Sequence, residues 1–130
     1  ALVGELGAGK TQLVRGACAG AGVRRSDVSS PSFAIVATYA GRIPVHHADL
    51  YRIVDEDELY GTGFGDLVGG DGALLVEWAD RIPSALPDGK LKFGFAVFHA
   101  PFASRTSSDG IIVLLRVCCD SATLMLASVG

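Results

Sequence analysis

Cysteine is scarce in this chain: three residues, at 18, 118 and 119. An odd number, two of them adjacent, does not make a disulfide framework. No second Cys/His cluster offers metal-ligand spacing, so the thiols read as free, buried or half-buried in a reducing cytosol. His99 stands alone and reads as structural. No apolar run approaches a membrane span, and no signal peptide is visible. Net positive charge is also missing: the formal charge is -3. That excludes a general attraction for nucleic acid, so RNA contact would need a local basic patch or a partner protein. Charged residues are only 19% and hydrophobic ones 49% of 130 residues, which excludes disorder and allows one domain with its own core. There is no internal repeat and no interdomain linker. There is no initiator Met either. Only three residues precede the first motif, whereas strands usually run about five or six. The expectation is a single domain over residues 1–130 that lacks its natural N-terminal segment.

What is present begins with Gly4-Glu5-Leu6-Gly7-Ala8-Gly9-Lys10-Thr11. It fits G-x-x-x-x-G-K-[ST], the phosphate-binding P-loop. Glycines at 4, 7 and 9 let the backbone curl so that several N–H groups face a phosphate chain. Lys10 supplies a point charge for the outer phosphates, and the Thr11 hydroxyl can hold magnesium. Ala1-Leu2-Val3 reads as the end of a buried strand, and Thr11 to Ala21 as a helix whose N-terminus faces the anion. Leu13, Val14, Ala17, Cys18 and Ala21 would form its buried face, with Arg15, Arg24 and Arg25 in solvent.

Beyond Ser30-Pro31-Ser32, alternation from Phe33 to Tyr39 predicts a strand, and Gly41-Arg42 a turn. Ile43 to Ala48 predicts its hairpin partner, with Pro44 pointing to an edge position or an irregularity there. Asp49 follows at the strand end. It could meet magnesium or a water there, or could cap the following helix. Asp55 to Tyr60 reads as an acidic helix start, and Gly61 to Gly72 as loop with Phe64 and Leu67 turned inward. Ala73-Leu74-Leu75-Val76-Glu77 is an apolar run closed by an acid, the form of a central parallel strand carrying a Walker B carboxylate. The alternative is an ordinary strand with a polar last residue. Trp78, beside that acid, is either core filler or part of the site. Further strands are predicted over Leu91–Phe98, Ile111–Val117 and Thr123–Ser128.

A phosphate cradle, a lysine, a metal-holding hydroxyl and two strand-end carboxylates are sufficient parts for slow ATP hydrolysis, which needs positioning and charge stabilisation. No N-K-x-D stretch is present to read guanine, which favours ATP. No Arg-rich lid segment of the small-molecule kinase type is evident.

Taken in order, G-E-L-G-A-G-K-T at 4–11, R-G at 15–16, S-P-S-F at 30–33, H-x-D-L-Y-R at 47–52, V-E-W at 76–78 and L-P at 86–87 resemble the bacterial TsaE family. The motifs span roughly two-thirds of the chain. The resemblance implies a cytoplasmic, weak Mg2+-dependent ATPase that acts with the TsaB–TsaD pair in tRNA threonylcarbamoyladenosine biosynthesis, meeting tRNA only indirectly and no membrane. It implies that Gly7, Ala8, Gly9, Lys10, Thr11 and Gln12 hold the phosphates of ATP and that Thr11 and Glu77 hold Mg2+. Lys10, Asp49, Glu77 and Trp78 would be the catalytic group, and Ser30 and Ser32 would belong to a switch-like loop. The family has Thr more often at position 32. Arg105 is the nearest match to a family arginine that reaches the nucleotide. After about residue 92 the chain departs from the family pattern.

The expected fold is a three-layer α/β P-loop domain with a mostly parallel central sheet and antiparallel late strands. Two other functions fit the same parts: a P-loop kinase for a small metabolite, and a nucleotide-gated adaptor that does not require hydrolysis.

Overall fold

The computed structural model describes residues 1–88, 90–99, 111–119 and 122–129, with side chains described no further than residue 94. Strand β1 (Leu2–Gly4) runs into the P-loop and helix α1 (Lys10–Gly20). The hairpin β2 (Val36–Ala40) and β3 (Pro44–Asp49) follows, then the short helices α2 (Glu56–Gly61) and α3 (Phe64–Leu67). Strands β4 (Ala73–Glu77), β5 (Lys92–His99), β6 (Ile111–Cys119) and β7 (Ala122–Val129) complete the order.

The described strands form one seven-stranded sheet in the order β2-β3-β4-β1-β5-β6-β7. The pairings β3–β4, β4–β1 and β1–β5 are parallel. The flanks, β2–β3 on one side and β5–β6–β7 on the other, are antiparallel. This is the expected α/β class with a parallel centre.

Two apolar cores sandwich that centre. Val14 and Cys18 of α1 and Ala21, which caps it, pack with Leu2 and Val45, with Leu75 and Phe93 partly covered on the same face. On the opposite face Leu59 and Phe64 pack with Ala48 and Val76, joined by Ala79, Ile82 and Ala85 from the segment after β4. The layers therefore number three. The connection from β1 to β3 runs one way along the sheet and that from β4 to β5 the other. Right-handed crossovers in opposite directions lie on opposite faces, which opens a crevice at the carboxyl ends of β1 and β4.

Several local expectations change. The buried stripe of α1 is Lys10, Val14 and Cys18, one residue every four, and Ala17 is exposed. Arg15 is not free in solvent; its Nε donates to the Val28 carbonyl at 2.8 Å and ties the helix to the next loop. The residues Phe33 to Ile35 are not strand. Ile35 has φ 65, its N–H bonds the Pro31 carbonyl, and its own carbonyl accepts from Asp49 N–H. The Ser-Pro-Ser turn thus occupies backbone groups that a longer strand would need, and Phe33 is left 86% exposed. Pro44 does not mark an edge, because β3 lies between β2 and β4. As the first strand residue, it costs no internal ladder bond. Gly72, at φ 96, enters β4 against the Pro44 carbonyl, where any side chain would clash.

Candidate functional site

The P-loop conformation is set by its glycines. Gly7 and Gly9 sit at φ 80 and 97, where other residues are strained. Gly9 is the N-cap of α1 and has no side chain to satisfy the first helical N–H groups. The first turn of α1 also carries no acid. Those amides and the positive end of the helix therefore face the cleft, an arrangement that favours an anion.

Lys10 is 4% exposed. Its ammonium donates to the Gly4 and Glu5 carbonyls, both at 2.7 Å, and lies 3.9 Å from the centre of the Trp78 ring. Burial pushes its pKa below the ordinary lysine value, and Glu77, Asp49 and Asp80 oppose that push.

Strand register brings the two carboxylates together. Asp49 and Glu77 are the last residues of β3 and β4 and pair directly across the parallel ladder. Alternation puts both on the α1 face, because Val45 and Leu75 lie on that face and each acid follows by an even number of residues. Thr11 Oγ1 donates to Glu77, 2.7 Å from Oε1 and 3.0 Å from Oε2. His47 Nε2 lies 2.8 Å from the same Oε1, with both residues buried.

Asp49 holds a different set. Its Oδ2 accepts from Ser32 Oγ at 2.6 Å and from Ser30 Oγ, while Oδ1 accepts from Tyr51 N–H at 3.0 Å. Asp49 is not a helix cap. The cap of α2 is Asp55, whose Oδ1 accepts from Glu58 N–H at 2.9 Å. Asp49 instead clasps the Ser30–Ser32 turn to the end of β3.

Trp78 is half-buried, packing against the second core while also lining the cleft. It has φ 57, a left-handed conformation rare for a bulky residue and worth roughly 1–3 kcal/mol of strain. That turn places its ring over Lys10 and 4.9 Å from the Tyr51 ring. The resulting cleft has a volume of about 320 Å³. It is lined by residues 6–12, Ser30, Ser32, Asp49, Tyr51, Glu77 and Trp78. Every expected site residue except Arg105 is among them, and Arg105 lies outside the described residues.

The donor set fits magnesium. The Thr11 proton is directed at Glu77, so the hydroxyl lone pairs remain for a cation. Glu77 Oε1 already takes two contacts and Oε2 has capacity left. Among the described residues no group of three or more His, Cys, Asp or Glu could hold a metal by itself. That suits Mg2+, which is usually bound by one or two protein oxygens plus substrate phosphates and water.

Sequence reasoning placed His47 and Tyr51 in the H-x-D-L-Y-R stretch at 47–52 but gave neither a role. For His47 a further signal was its place two residues before Asp49, hence on the same face of β3. For Tyr51 the approach to Trp78 follows from the turn after β3.

The family model described as "Threonylcarbamoyl adenosine biosynthesis protein TsaE" matches residues 1–101. The chain belongs to the TsaE family. Among curated TsaE proteins it is 42% identical to that of Bacillus subtilis over 92 residues, covering 70% of this chain and 56% of the relative. It is 37% identical to that of Treponema pallidum over 87 residues, covering 67% and 64%. With that of Haemophilus influenzae the identity is 40% over 89 residues, covering 67% and 55%. The matched region thus spans roughly three-fifths of these TsaE relatives. The crystal structure of Bacillus subtilis YdiB superposes with a TM-score of 0.55 at 28% identity, covering 99% of this chain and 66% of that one. The curated TsaE relatives are named for tRNA threonylcarbamoyladenosine biosynthesis. Among the described residues no helix is long and apolar enough to cross a membrane.

Proposed function

We propose that this TsaE-family chain binds ATP with Mg2+ in the cleft between the P-loop and the ends of β3 and β4, hydrolyses it slowly, and serves the TsaB–TsaD pair in tRNA threonylcarbamoyladenosine biosynthesis. One observation carries the reading: Thr11 Oγ1 and Glu77 Oε1 are 2.7 Å apart although 66 residues separate them. A P-loop hydroxyl touching a strand-end acid is the pairing that a shared magnesium ion requires.

In this reading the amides of Gly7 to Gln12 bind the phosphates, and Lys10 offsets their charge. Thr11 and Glu77 hold Mg2+, which when bound supplies charge neutralisation of the outer phosphates. Trp78 keeps the Lys10 ammonium at the cleft wall. Asp49 orders the Ser30–Ser32 turn at the phosphate end, and through it the attacking water. Contact with tRNA is indirect, by way of the partner proteins, in keeping with the net charge of -3.

One feature favours the adaptor variant of this proposal. Both oxygens of Asp49 already accept bonds from the chain. An acid so occupied is better suited to switching a loop than to taking a proton. The two variants separate on Glu77→Ala. ADP production and tRNA modification are measured with purified TsaB, TsaD and tRNA. Loss of both supports a required ATPase; loss of hydrolysis with modification intact makes the chain an adaptor. Capture of the TsaB–TsaD pair that does not respond to ATP, together with no ADP formed, would overturn the proposal.

A further inference from the structure

His47 is fully buried, yet it does not line the cleft. Among the described residues its ring makes one polar contact, Nε2 to Glu77 Oε1 at 2.8 Å. A carboxylate oxygen can only accept, so in this contact the ring proton is on Nε2. Nδ1 is buried and has no hydrogen-bond partner among the described residues. An unpaired buried polar atom costs on the order of 1–3 kcal/mol, so a phenylalanine or leucine would suit this spot in the core better. The imidazole is therefore poorly explained by packing and well explained by what its Nε2–H holds.

What it holds is one particular oxygen. Oε1 of Glu77 receives both His47 and the shorter Thr11 contact, and Oε2 has the longer contact at 3.0 Å. Two donors on one oxygen fix the carboxylate plane and leave the other oxygen toward the cleft that Glu77 lines. The donors come from different elements, β3 and α1, so the acid is braced from two sides. We propose that His47 is a positioning residue that pins Glu77 Oε1 and so presents Oε2 to the divalent cation of a bound nucleotide. The proposal rests on the nucleotide–magnesium reading of the cleft. Outer-shell partners of metal ligands act in this way, by fixing orientation rather than by contact.

Trp78 is the chain's single tryptophan and lies over Lys10, so its fluorescence reports binding in the cleft. The experiment titrates ADP into the protein with excess Mg2+ and with EDTA, and compares the parent, His47→Phe and His47→Gln. Phe keeps the ring and removes the donor. Gln restores an N–H at similar reach. The expected result has three parts. Metal-free ADP affinity is the same in all three proteins. The extra affinity given by Mg2+ falls about 10- to 100-fold in His47→Phe, and His47→Gln regains most of it. Thermal midpoints show His47→Phe at least as stable as the parent. The inference is overturned if His47→Phe keeps the full magnesium effect, if Gln and Phe behave alike, or if both variants unfold, which would make His47 a core residue only. A parent that binds no ADP in either condition overturns the nucleotide reading itself, a result distinct from the others.

Discussion

Asp49 and Glu77 are register partners on adjacent parallel strands, yet among the described residues their carboxylates share no hydrogen-bond partner. Glu77 is bonded by Thr11 and His47, Asp49 by Ser30, Ser32 and the Tyr51 amide. Two acids side by side on one face therefore do different work. One bonds the P-loop hydroxyl, where the proposed cation would sit; the other holds a loop.

Glu77→Gln should keep the fold and lose the metal. The amide retains the shape and one acceptor but no longer carries the charge a divalent cation needs. Magnesium-dependent ATP hydrolysis is expected to fall at least about 100-fold, the upper range seen even for outer-shell partners. Metal-free nucleotide binding should change little. Steady-state ADP release, with binding followed by Trp78 fluorescence, checks both.

Asp49→Asn should loosen the Ser30–Ser32 turn before it affects anything else. The amide nitrogen cannot accept, so at least one of three donors loses its partner at a cost of about 1–3 kcal/mol. Hydrogen exchange over residues 29–35 should speed up markedly, while exchange within α1 stays as in the parent. Equal protection of the turn in both proteins would remove the clasp role.

Lys10→Met should abolish nucleotide binding and change how stability depends on pH. Burial lowers the pKa of Lys10 from its ordinary value of about 10.5. The sign follows directly. A lysine with a depressed folded pKa is charged at a cost in the native state. That cost is fully present at neutral pH. It is relieved as pH rises through the folded pKa toward the unfolded value. Replacing the buried ammonium removes that cost together with its bonds to the Gly4 and Glu5 carbonyls. The stability of the variant relative to the parent should therefore fall as pH rises toward 10.5. Urea midpoints at several pH values test it; a relative stability that grows with pH would contradict it.

Phe64→Ala tests the layer opposite α1. Phe64 is fully buried and packs with Leu59 and Val76. Its truncation should cost about 3–5 kcal/mol, read from urea unfolding. At temperatures where the variant remains folded, magnesium-free ADP binding should persist, since α3 contributes nothing to the cleft wall.

Which parts of this protein could be read before folding depends on how far apart the interacting residues lie. The P-loop was legible because its curl is decided within a few residues by glycine backbone freedom and by the helix that starts at Lys10. The Glu77 strand was legible because an apolar run buried on both faces and closed by an acid leaves few other roles. The register pairing of Asp49 with Glu77, the bond from His47 to Glu77 across 30 residues and the grip of Asp49 on two serines were not. Nor were the exposure of Ala17 and the left-handed turn at Ile35. Local pattern assigns a residue to a strand or a helix face. Only strand order and register decide which side chains meet, because those contacts are set by packing between segments distant in the chain.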